Sequence, residues 1–300
     1  MRCDRAREGK TMREQNSMPG PGLHRGVSFD EYTSWDAANA HGLSILTKRT
    51  PAHLRYELDH GGSERTEALD IGYLLHLAVL EPDKFAAQAV IAPKVDKRTK
   101  AGKQEWLEFE AAHIGASLVA PEKHSALIGM RDAVYAHPTA REFLMGPGMS
   151  EVSAVWEEEG MPCKLRADRI GRIGASAVIG DLKTALCADR RTFERAVYTY
   201  GYHLQGAHYV SGVEHCIPQP EGNPHRRYIF IVVEKDPPYC VALYEIDDAA
   251  LGEGDTRRKQ ALRTWRKCRE TGQWPGYSEG MDTVSLPAWA FEVFDNSADL

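Results

Sequence analysis

The sequence predicts an α/β fold in which helices flank a central mixed β-sheet and a mainly helical part precedes it. In residues 27–149, apolar side chains recur at three- and four-residue spacing, which is typical of amphipathic helices. From Glu151 the period changes to two, which is typical of strands. A helical segment then separates the first strands from the later ones, and this order favours a layered α/β arrangement.

The individual elements follow from the same periods and from turn residues. Helices are predicted at residues 44–58, 66–85 (closing at Pro82), 104–119 and 122–144, with an exposed basic loop at 92–103. Strands are predicted at residues 152–158, 163–170, 176–184, 226–235 and 239–246. A helix over 190–213 crosses between the third and fourth strands, and a last helix covers 255–271.

The domain organisation is predicted from composition. Residues 1–26 mix charges, Gly and Pro without apolar periodicity, so we expect a disordered segment outside the fold. Residues 27–300 are expected to form a single domain, with a mainly helical part (27–149) and a sheet core followed by a C-terminal helix and tail (150–300). With 42% hydrophobic residues in 300, the chain can bury a sizeable core.

Composition also narrows the class of protein. A formal net charge of −6 argues against a surface that is basic throughout, although a local basic site remains compatible with it. The six cysteines are scattered without a CxxC pair, which disfavours a zinc ribbon, a disulfide scaffold or an iron–sulfur site. No run approaches the roughly 18 apolar residues of a membrane span. We therefore expect a soluble, cytoplasmic protein without a membrane partner.

A charged pair in the third predicted strand is the first candidate for chemistry. Asp181 and Lys183 are two positions apart in "GDLKTA", so they project from one face, and Asp168 lies 13 residues earlier on the neighbouring strand. Carboxylates suit Mg²⁺ or Mn²⁺, the Leu182 carbonyl is a further candidate ligand, and Lys183 would stabilise charge on a phosphoryl oxygen. The alternative is a partly exposed Asp181–Lys183 ion pair, with Asp168 paired to a neighbouring Arg, and this is the commoner arrangement for an isolated D-x-K pattern.

Several segments together resemble a known family. "ALDIGYLLHLAVLEPDKF", "CKLRADRI", "GDLKTA" and "YGYHLQGAHYVSGV" occur in the order found in the PD-(D/E)xK nuclease superfamily, and in particular in its RecE-type exonucleases (exodeoxyribonuclease eight). The resemblance implies a restriction-endonuclease-like core. The site residues that it implies are His76, Asp168, Asp181, Lys183, Gln205 and Tyr209. Two departures concern Ala167, where Pro is usual, and Asp181, where many members have Glu.

The resemblance gives each of these residues a role that the pattern alone leaves open. It implies that His76 joins Asp168 and Asp181 as a metal ligand, although a lone His in such a helix is more often a core residue. It places Gln205 and Tyr209 beside the scissile phosphate, whereas ordinary helix amphipathicity also explains their four-residue spacing. Glu151, at the start of the first strand, fits a site member and a solvated strand end equally well.

Basic residues are concentrated near the predicted site. Residues 161–205 hold eight Lys or Arg against four acids, in a chain that is acidic overall. Such groups contact phosphates without reading sequence. The 94–103 loop and the 257–269 helix are further candidates for DNA contact, and a solvated helix face explains the second of them equally well.

The function implied is a Mg²⁺-dependent exonuclease (Mn²⁺ is an alternative ion) that digests double-stranded DNA from its ends in the 5′ to 3′ direction. Hydrolysis would use metal-activated water, and the family suggests phage-type recombination, a single-strand annealing partner and a homo-oligomeric ring. Two alternatives remain open. One is a site-specific or structure-specific endonuclease of the same superfamily, and the other is a DNA-binding module without catalysis.

Overall fold

A computed structural model describes residues 18–61, 67–218, 226–287 and 290. These residues form a six-stranded mixed sheet in the order β1-β4-β5-β6-β7-β8 and a short parallel pair, β2-β3. The strands are β1 (Gly22–His24), β2 (Ala89–Ile91), β3 (Ser117–Val119), β4 (Met149–Glu158), β5 (Met161–Ile173), β6 (Ser176–Ala185), β7 (Arg227–Glu234) and β8 (Val241–Glu245). The predicted fold class, a central mixed sheet flanked by helices, is confirmed.

The helices lie before, between and after the strands of the sheet. They are α1 (Phe29–Ser34), α2 (Ala40–Lys48), α3 (Pro51–His60), α4 (Glu67–Leu80), α5 (Pro82–Gln88), α6 (Lys100–Ala112), α7 (Pro121–Ala136), α8 (Pro138–Met145), α9 (Arg190–Tyr200), α10 (Tyr202–Cys216) and α11 (Asp248–Thr271). No helix in the described ranges is long and apolar enough to cross a lipid bilayer.

The direction of the strands explains why the sheet is mixed. β4, β5 and β6 form an antiparallel meander, and β7 then pairs parallel to β6. A parallel neighbour requires a crossover, and α9 and α10 supply it. β8 returns antiparallel to β7 and completes that side of the sheet.

The sheet separates two hydrophobic cores. On one face, residues of α2, α3, α10 and α11 pack around Leu43, Leu204 and Trp265. On the other, α4, α7 and α8 pack around Leu75 and Phe143. Helices therefore approach each face of β5 and β6, and side chains from both layers can reach the end of these two strands.

Several predicted helices divide into two, and proline or glycine explains each division. Pro51, Pro82 and Pro138 each open a new helix, since proline is tolerated in the first turn but not in a helix interior. Gly201 ends α9 with a left-handed backbone (φ 76°, ψ 32°), which a residue without Cβ adopts readily. The predicted spans continue through Pro51, Pro138 and Gly201, whereas α4 ends at Leu80, just before Pro82, as predicted.

Two boundaries need correction. We expected residues 1–26 to lie outside the fold, yet β1 pairs antiparallel with β4 through Gly22 and Val155, because the edge of β4 offers free backbone groups to a short strand. Residues 1–17 lie outside the described residues. The predicted basic loop is also shorter than expected, because Thr99 caps a helix that begins at Lys100.

Candidate active site

Asp168 and Asp181 lie where two neighbouring strands separate. The hydrogen-bonded pairing of β5 with β6 ends at Arg169 and Gly180, and the two aspartates are the next residue on each strand. Leu182 donates its backbone N–H to Asp168 Oδ2 at 2.7 Å, so the carboxylate replaces a backbone partner there. The Leu182 side chain is buried, and ligation by its carbonyl oxygen stays a prediction.

His76 reaches this point from α4. Its Nε2 lies 2.9 Å from Asp168 Oδ2 and its Nδ1 lies 2.7 Å from the Gly72 carbonyl oxygen. Both partners are acceptors, so both ring nitrogens donate. Burial alone would lower the pKa of His76, but Asp168 and the two hydrogen bonds outweigh it and raise that pKa to about 9. Burial would conversely raise the pKa of Asp168, and the charge and hydrogen bond of His76 lower it instead.

Lys183 and Asp181 form an ion pair, but not an exposed one. Their Nζ and Oδ2 atoms are 2.6 Å apart, and their side chains are only 19% and 3% exposed. Burial and then the charge of Asp168 raise the pKa of Asp181 against the opposing effect of Lys183. The pKa of Lys183 is also raised, since two carboxylates outweigh its burial. Both directions hold together because Lys183 faces two acids, whereas Asp181 faces one lysine and a second acid.

Gln205, on α10, joins the aspartate to the lysine. Its Nε2 donates to Asp181 Oδ1 at 2.7 Å, and its Oε1 accepts from Lys183 Nζ at 3.4 Å. Tyr209 follows one turn later, but its ring packs edge-on against Tyr228, 6.1 Å between centroids, and adjoins the core. Burial raises the pKa of Tyr209 well above its ordinary value, so the hydroxyl is neutral. The structure therefore brings five predicted side chains together and places Tyr209 beside them.

Glu151 lies closer to this cluster than its position in the sequence indicated. The residues on either side of it pair with those on either side of Asp168, so the two acids lie across from each other on β4 and β5. Its φ of 49° is unusual for a residue with a Cβ. Its carboxylate accepts a hydrogen bond from Arg166 Nε at 2.6 Å. Burial, followed by the charge of Asp168, raises the pKa of Glu151.

Comparison with known protein families identifies the family of this chain. A family described as a PDDEXK-like domain of unknown function (DUF3799) matches residues 31–287. The chain belongs to this family. The DUF3799 domain is thereby a member of the PD-(D/E)xK superfamily of nuclease folds, as its motifs predicted.

A solved structure supports the fold of this DUF3799 domain. The crystal structure of a provisionally named exonuclease from Eubacterium rectale is 12% identical and superposes with a TM-score of 0.56, over 84% of this chain and 90% of the other. A structure named SSO0001 is 14% identical over 65% of this chain and 86% of the other, with a TM-score of 0.27 that is too low to support an argument. No curated protein matches the chain.

Nucleases of this superfamily generally use a divalent cation, and the side chains at the site of the DUF3799 domain can be compared with the ligands that such a cation prefers. Among the described residues, no three His, Cys, Asp or Glu side chains form a ready metal cage. The donor chemistry nevertheless fits. Asp181 Oδ2 is buried beside Lys183 Nζ, at 2.6 Å, and accepts no hydrogen bond from any other described residue. A second carboxylate lies beside it, and hard divalent cations prefer such oxygens.

His76 fits that cation less directly than the two aspartates do. A metal-ligating imidazole must be neutral, whereas His76 donates from both nitrogens in this arrangement. In the structure its imidazole donates a hydrogen bond to Asp168 and its charge lowers the pKa of that carboxyl group, and ligation of a metal ion by His76 stays a prediction.

Two side chains that pattern reasoning did not assign to the site contact it. The Tyr202 ring lies 4.8 Å from Lys183 Nζ, a cation–π distance. The fully buried Tyr228 hydroxyl has no hydrogen bond of good geometry to a described residue, and burial and then the charge of Asp181 raise its pKa well above the ordinary value. The sequence held no signal for Tyr228, because a tyrosine in an apolar strand reads as core.

The basic residues near the site divide into structural and exposed groups. Lys164 is buried and donates to the carbonyls of Tyr32 and Trp35, and Arg169 is buried and donates to the carbonyl of Phe143. These two cations hold the fold together and are inaccessible to phosphate. The count of eight basic residues therefore overstates the local positive surface.

The two further candidates for DNA contact are also largely engaged within the chain. In the 94–103 segment, Lys94 pairs with Glu122 and Lys97 lies over the Trp106 ring. In α11, ion pairs join Arg257, Arg258, Arg263, Arg266 and Arg269 to acids of the same chain. Contact of either segment with DNA stays a prediction.

Proposed function

We propose that this protein is a metal-dependent deoxyribonuclease that digests double-stranded DNA from an end in the 5′ to 3′ direction, as RecE-type exonucleases of phage recombination systems do. The observation that carries the proposal is the cluster of Asp168, Asp181 and Lys183 at the separating ends of β5 and β6. The resemblance of the surrounding motifs to RecE-type exonucleases supports the finer assignment.

Each residue of the cluster would have one task. Asp168 and Asp181 would hold a Mg²⁺ or Mn²⁺ ion, which supplies a Lewis acid and lowers the pKa of bound water. Lys183 carries its positive charge at neutral pH and would stabilise the charge that develops on a phosphoryl oxygen. Gln205 keeps that ammonium group beside Asp181 through its amide. His76 would keep Asp168 ionised and oriented.

DNA with and without ends tests the exonuclease assignment. We expect linear duplex to be degraded with Mg²⁺ and not with EDTA, and covalently closed circles to survive. A duplex labelled at one 5′ end should release label as a mononucleotide or short fragment first, while a 3′ label is retained. Asp168→Asn is the control for a contaminating nuclease, because it removes one proposed ligand and should abolish release of either label.

The same experiment distinguishes the alternatives. Cleavage of closed circles would identify an endonuclease. Binding of duplex without hydrolysis by Mg²⁺ or Mn²⁺ would identify a DNA-binding module.

We also propose that the protein assembles as a ring around DNA and supplies a 3′ strand to a single-strand annealing partner. Both steps rest on the resemblance to RecE-type exonucleases. Light scattering of the purified chain tests the first, and a monomer at micromolar concentration, with or without DNA, would contradict it.

A further inference from the structure

An open groove of about 920 Å³ lies between α2, α3 and the junction of α9 with α10. Lys48 and Arg49 line it at the end of α2, Tyr56 lines it from α3, and Tyr200 from the end of α9. The proposed hydrolytic cluster does not include any of these residues.

The groove is positively charged. In the described ranges, Lys48 and Arg49 form no ion pair, and both are exposed. The acid that lines the groove, Glu57, has its Oε1 2.5 Å from His41 Nε2. The Glu57 carboxylate is therefore held by His41 and not by Lys48 or Arg49, and these two cations remain available to an anionic ligand.

Two tyrosines present their rings to solvent in this groove. Tyr56 is 66% and Tyr200 is 62% exposed. Tyr56 already stacks on His60, with ring centroids 4.1 Å apart. Exposed aromatic rings beside unpaired cations are the combination that binds single-stranded nucleic acid, because bases stack on the rings and phosphates pair with the cations.

A short path joins the groove to the hydrolytic cluster. The rings of Tyr200 and Tyr202 are 5.5 Å apart, and Lys183 Nζ lies 4.8 Å from the Tyr202 ring. Gly201, between the tyrosines, brings the backbone close to α2, because a Cβ at this residue would lie 3.4 Å from Lys48 Nζ. The same turn begins α10, which carries Gln205.

We propose that this groove binds an unpaired DNA strand next to the hydrolytic site, with Tyr200 and Tyr56 as stacking platforms and Lys48 and Arg49 on phosphates. The inference rests on the proposed function for the identity of the polymer. A single strand is favoured over duplex because paired bases do not offer their faces to a tyrosine ring. By binding a strand in its unpaired form, the groove would keep the two strands of the DNA apart next to the hydrolytic site.

Binding measured without hydrolysis tests the groove. Fluorescence anisotropy of a labelled 15-nucleotide oligothymidine in EDTA should show Tyr200→Ala binding about 5- to 150-fold more weakly than the parent, the range for loss of one base stack. Tyr200→Phe keeps the ring and should bind like the parent. Unchanged thermal unfolding of Tyr200→Ala, expected for an exposed side chain, excludes misfolding as the cause.

Salt dependence tests the cations. Arg49→Glu should reduce the slope of log affinity against log salt by about 0.7 or more, the contribution of one phosphate contact on a single strand. Arg141→Glu is the matched control, since Arg141 is exposed on α8 against the opposite face of the sheet and should leave the slope unchanged.

Three results would overturn the inference. These are parent-like binding by Tyr200→Ala, equal slopes for the two arginine variants, and an equal loss of affinity by Tyr200→Ala for blunt duplex. No step of this experiment requires cleavage, so its result is independent of the proposed function. If the protein binds single-stranded DNA through the groove but hydrolyses no DNA, the proposed function is refuted and the inference about the groove is supported.

Discussion

His76 Nε2 and Asp168 Oδ2 are 2.9 Å apart, although 92 positions separate the two residues in the chain. The contact joins α4, from the helical part, to β5 in the sheet. It also settles which charge compensates Asp168, since the carboxylate is paired with a histidine and a backbone N–H and not with a neighbouring arginine.

Replacing His76 with Ala should therefore act through Asp168. Without the imidazolium, burial raises the pKa of Asp168, so the carboxylate is ionised only at higher pH. We expect Mn²⁺ affinity measured by calorimetry to fall, and hydrolysis to be lost near neutral pH with partial recovery on the alkaline side. The unfolding transition should remain cooperative. A variant with the parent's Mn²⁺ affinity and pH profile would contradict a role for His76 at the site.

Lys183→Met separates a structural ion pair from a catalytic charge. If Lys183 stabilises the reacting phosphate, the single-turnover rate with saturating DNA and Mg²⁺ should fall roughly 10²–10³-fold, as for loss of one preorganised donor. DNA affinity should change little. Lys183→Arg, which keeps the charge but not the shape, should retain more activity than Lys183→Met. A single-turnover rate for Lys183→Met within threefold of the parent rate would show that the Asp181–Lys183 ion pair is structural and not catalytic.

The Glu158–Arg258 pair predicts how stability depends on pH. Arg258 Nη1 and Nη2 donate to the two Glu158 oxygens at 2.7 and 2.9 Å. Burial would raise the pKa of Glu158, but Arg258 outweighs it and lowers that pKa from 4.5 to about 2. A carboxyl group whose pKa is lower in the folded state than in the unfolded state stabilises the fold. This contribution is complete at a pH above the pKa of the unfolded state, and it is lost as the pH falls through the pKa of the folded state.

The free energy of unfolding, measured with urea, should therefore fall between about pH 4.5 and pH 2, and it should fall further for the parent than for Glu158→Gln. Glu159→Gln is the matched control, because its partner Arg263 lies at the exposed surface and such pairs contribute little. If the free energy of unfolding depends on pH equally in the parent and in Glu158→Gln, the Glu158–Arg258 pair is not the source of the loss of stability in acid.

Local sequence signals predicted the strands of the sheet well, and long-range contacts explain what they missed. The alternation in "SAVIGDLKT" gives β6 within one residue of its observed end, since every buried position faces a packed layer. By contrast, β1 has only three residues and exists because β4 offers an edge. No period can be read from three residues, so its strand state depends on a partner more than 120 positions away.

The site shows the same division. The D-x-K spacing predicts that Asp181 and Lys183 share a face, and their atoms meet at 2.6 Å. The positive φ of Glu151 and the burial of Lys164 and Arg169 could not be read from composition, because each depends on carbonyls or acids that tertiary packing supplies. Counting basic residues treats every Lys and Arg as exposed. Here that assumption fails for the buried Lys164 and Arg169, and also for Arg166 and Lys183, whose side chains are only 11% and 19% exposed.

Gly180, the residue before Asp181, is constrained by packing and not by its backbone. It pairs with Arg169 on one side and Ile229 on the other, and a Cβ there would overlap the ring of Phe143, which is fully buried. The ring has no free space to move into, so Gly180→Ala should lower the free energy of unfolding by about 1–3 kcal/mol, the usual effect of an added methyl in a packed core.

Gly252→Ala should change the free energy of unfolding in the opposite direction to Gly180→Ala. Gly252 is exposed in α11 with open space around its Cα, so alanine should raise the free energy of unfolding by about 0.5–1 kcal/mol through helix propensity. Combining Gly180→Ala with Phe143→Leu should lose less than the sum of the two single changes, because the smaller side chain makes room for the methyl group. Urea unfolding of the four variants measures these values. Strict additivity of Gly180→Ala and Phe143→Leu would show that the two side chains do not compete for the space beside Asp181.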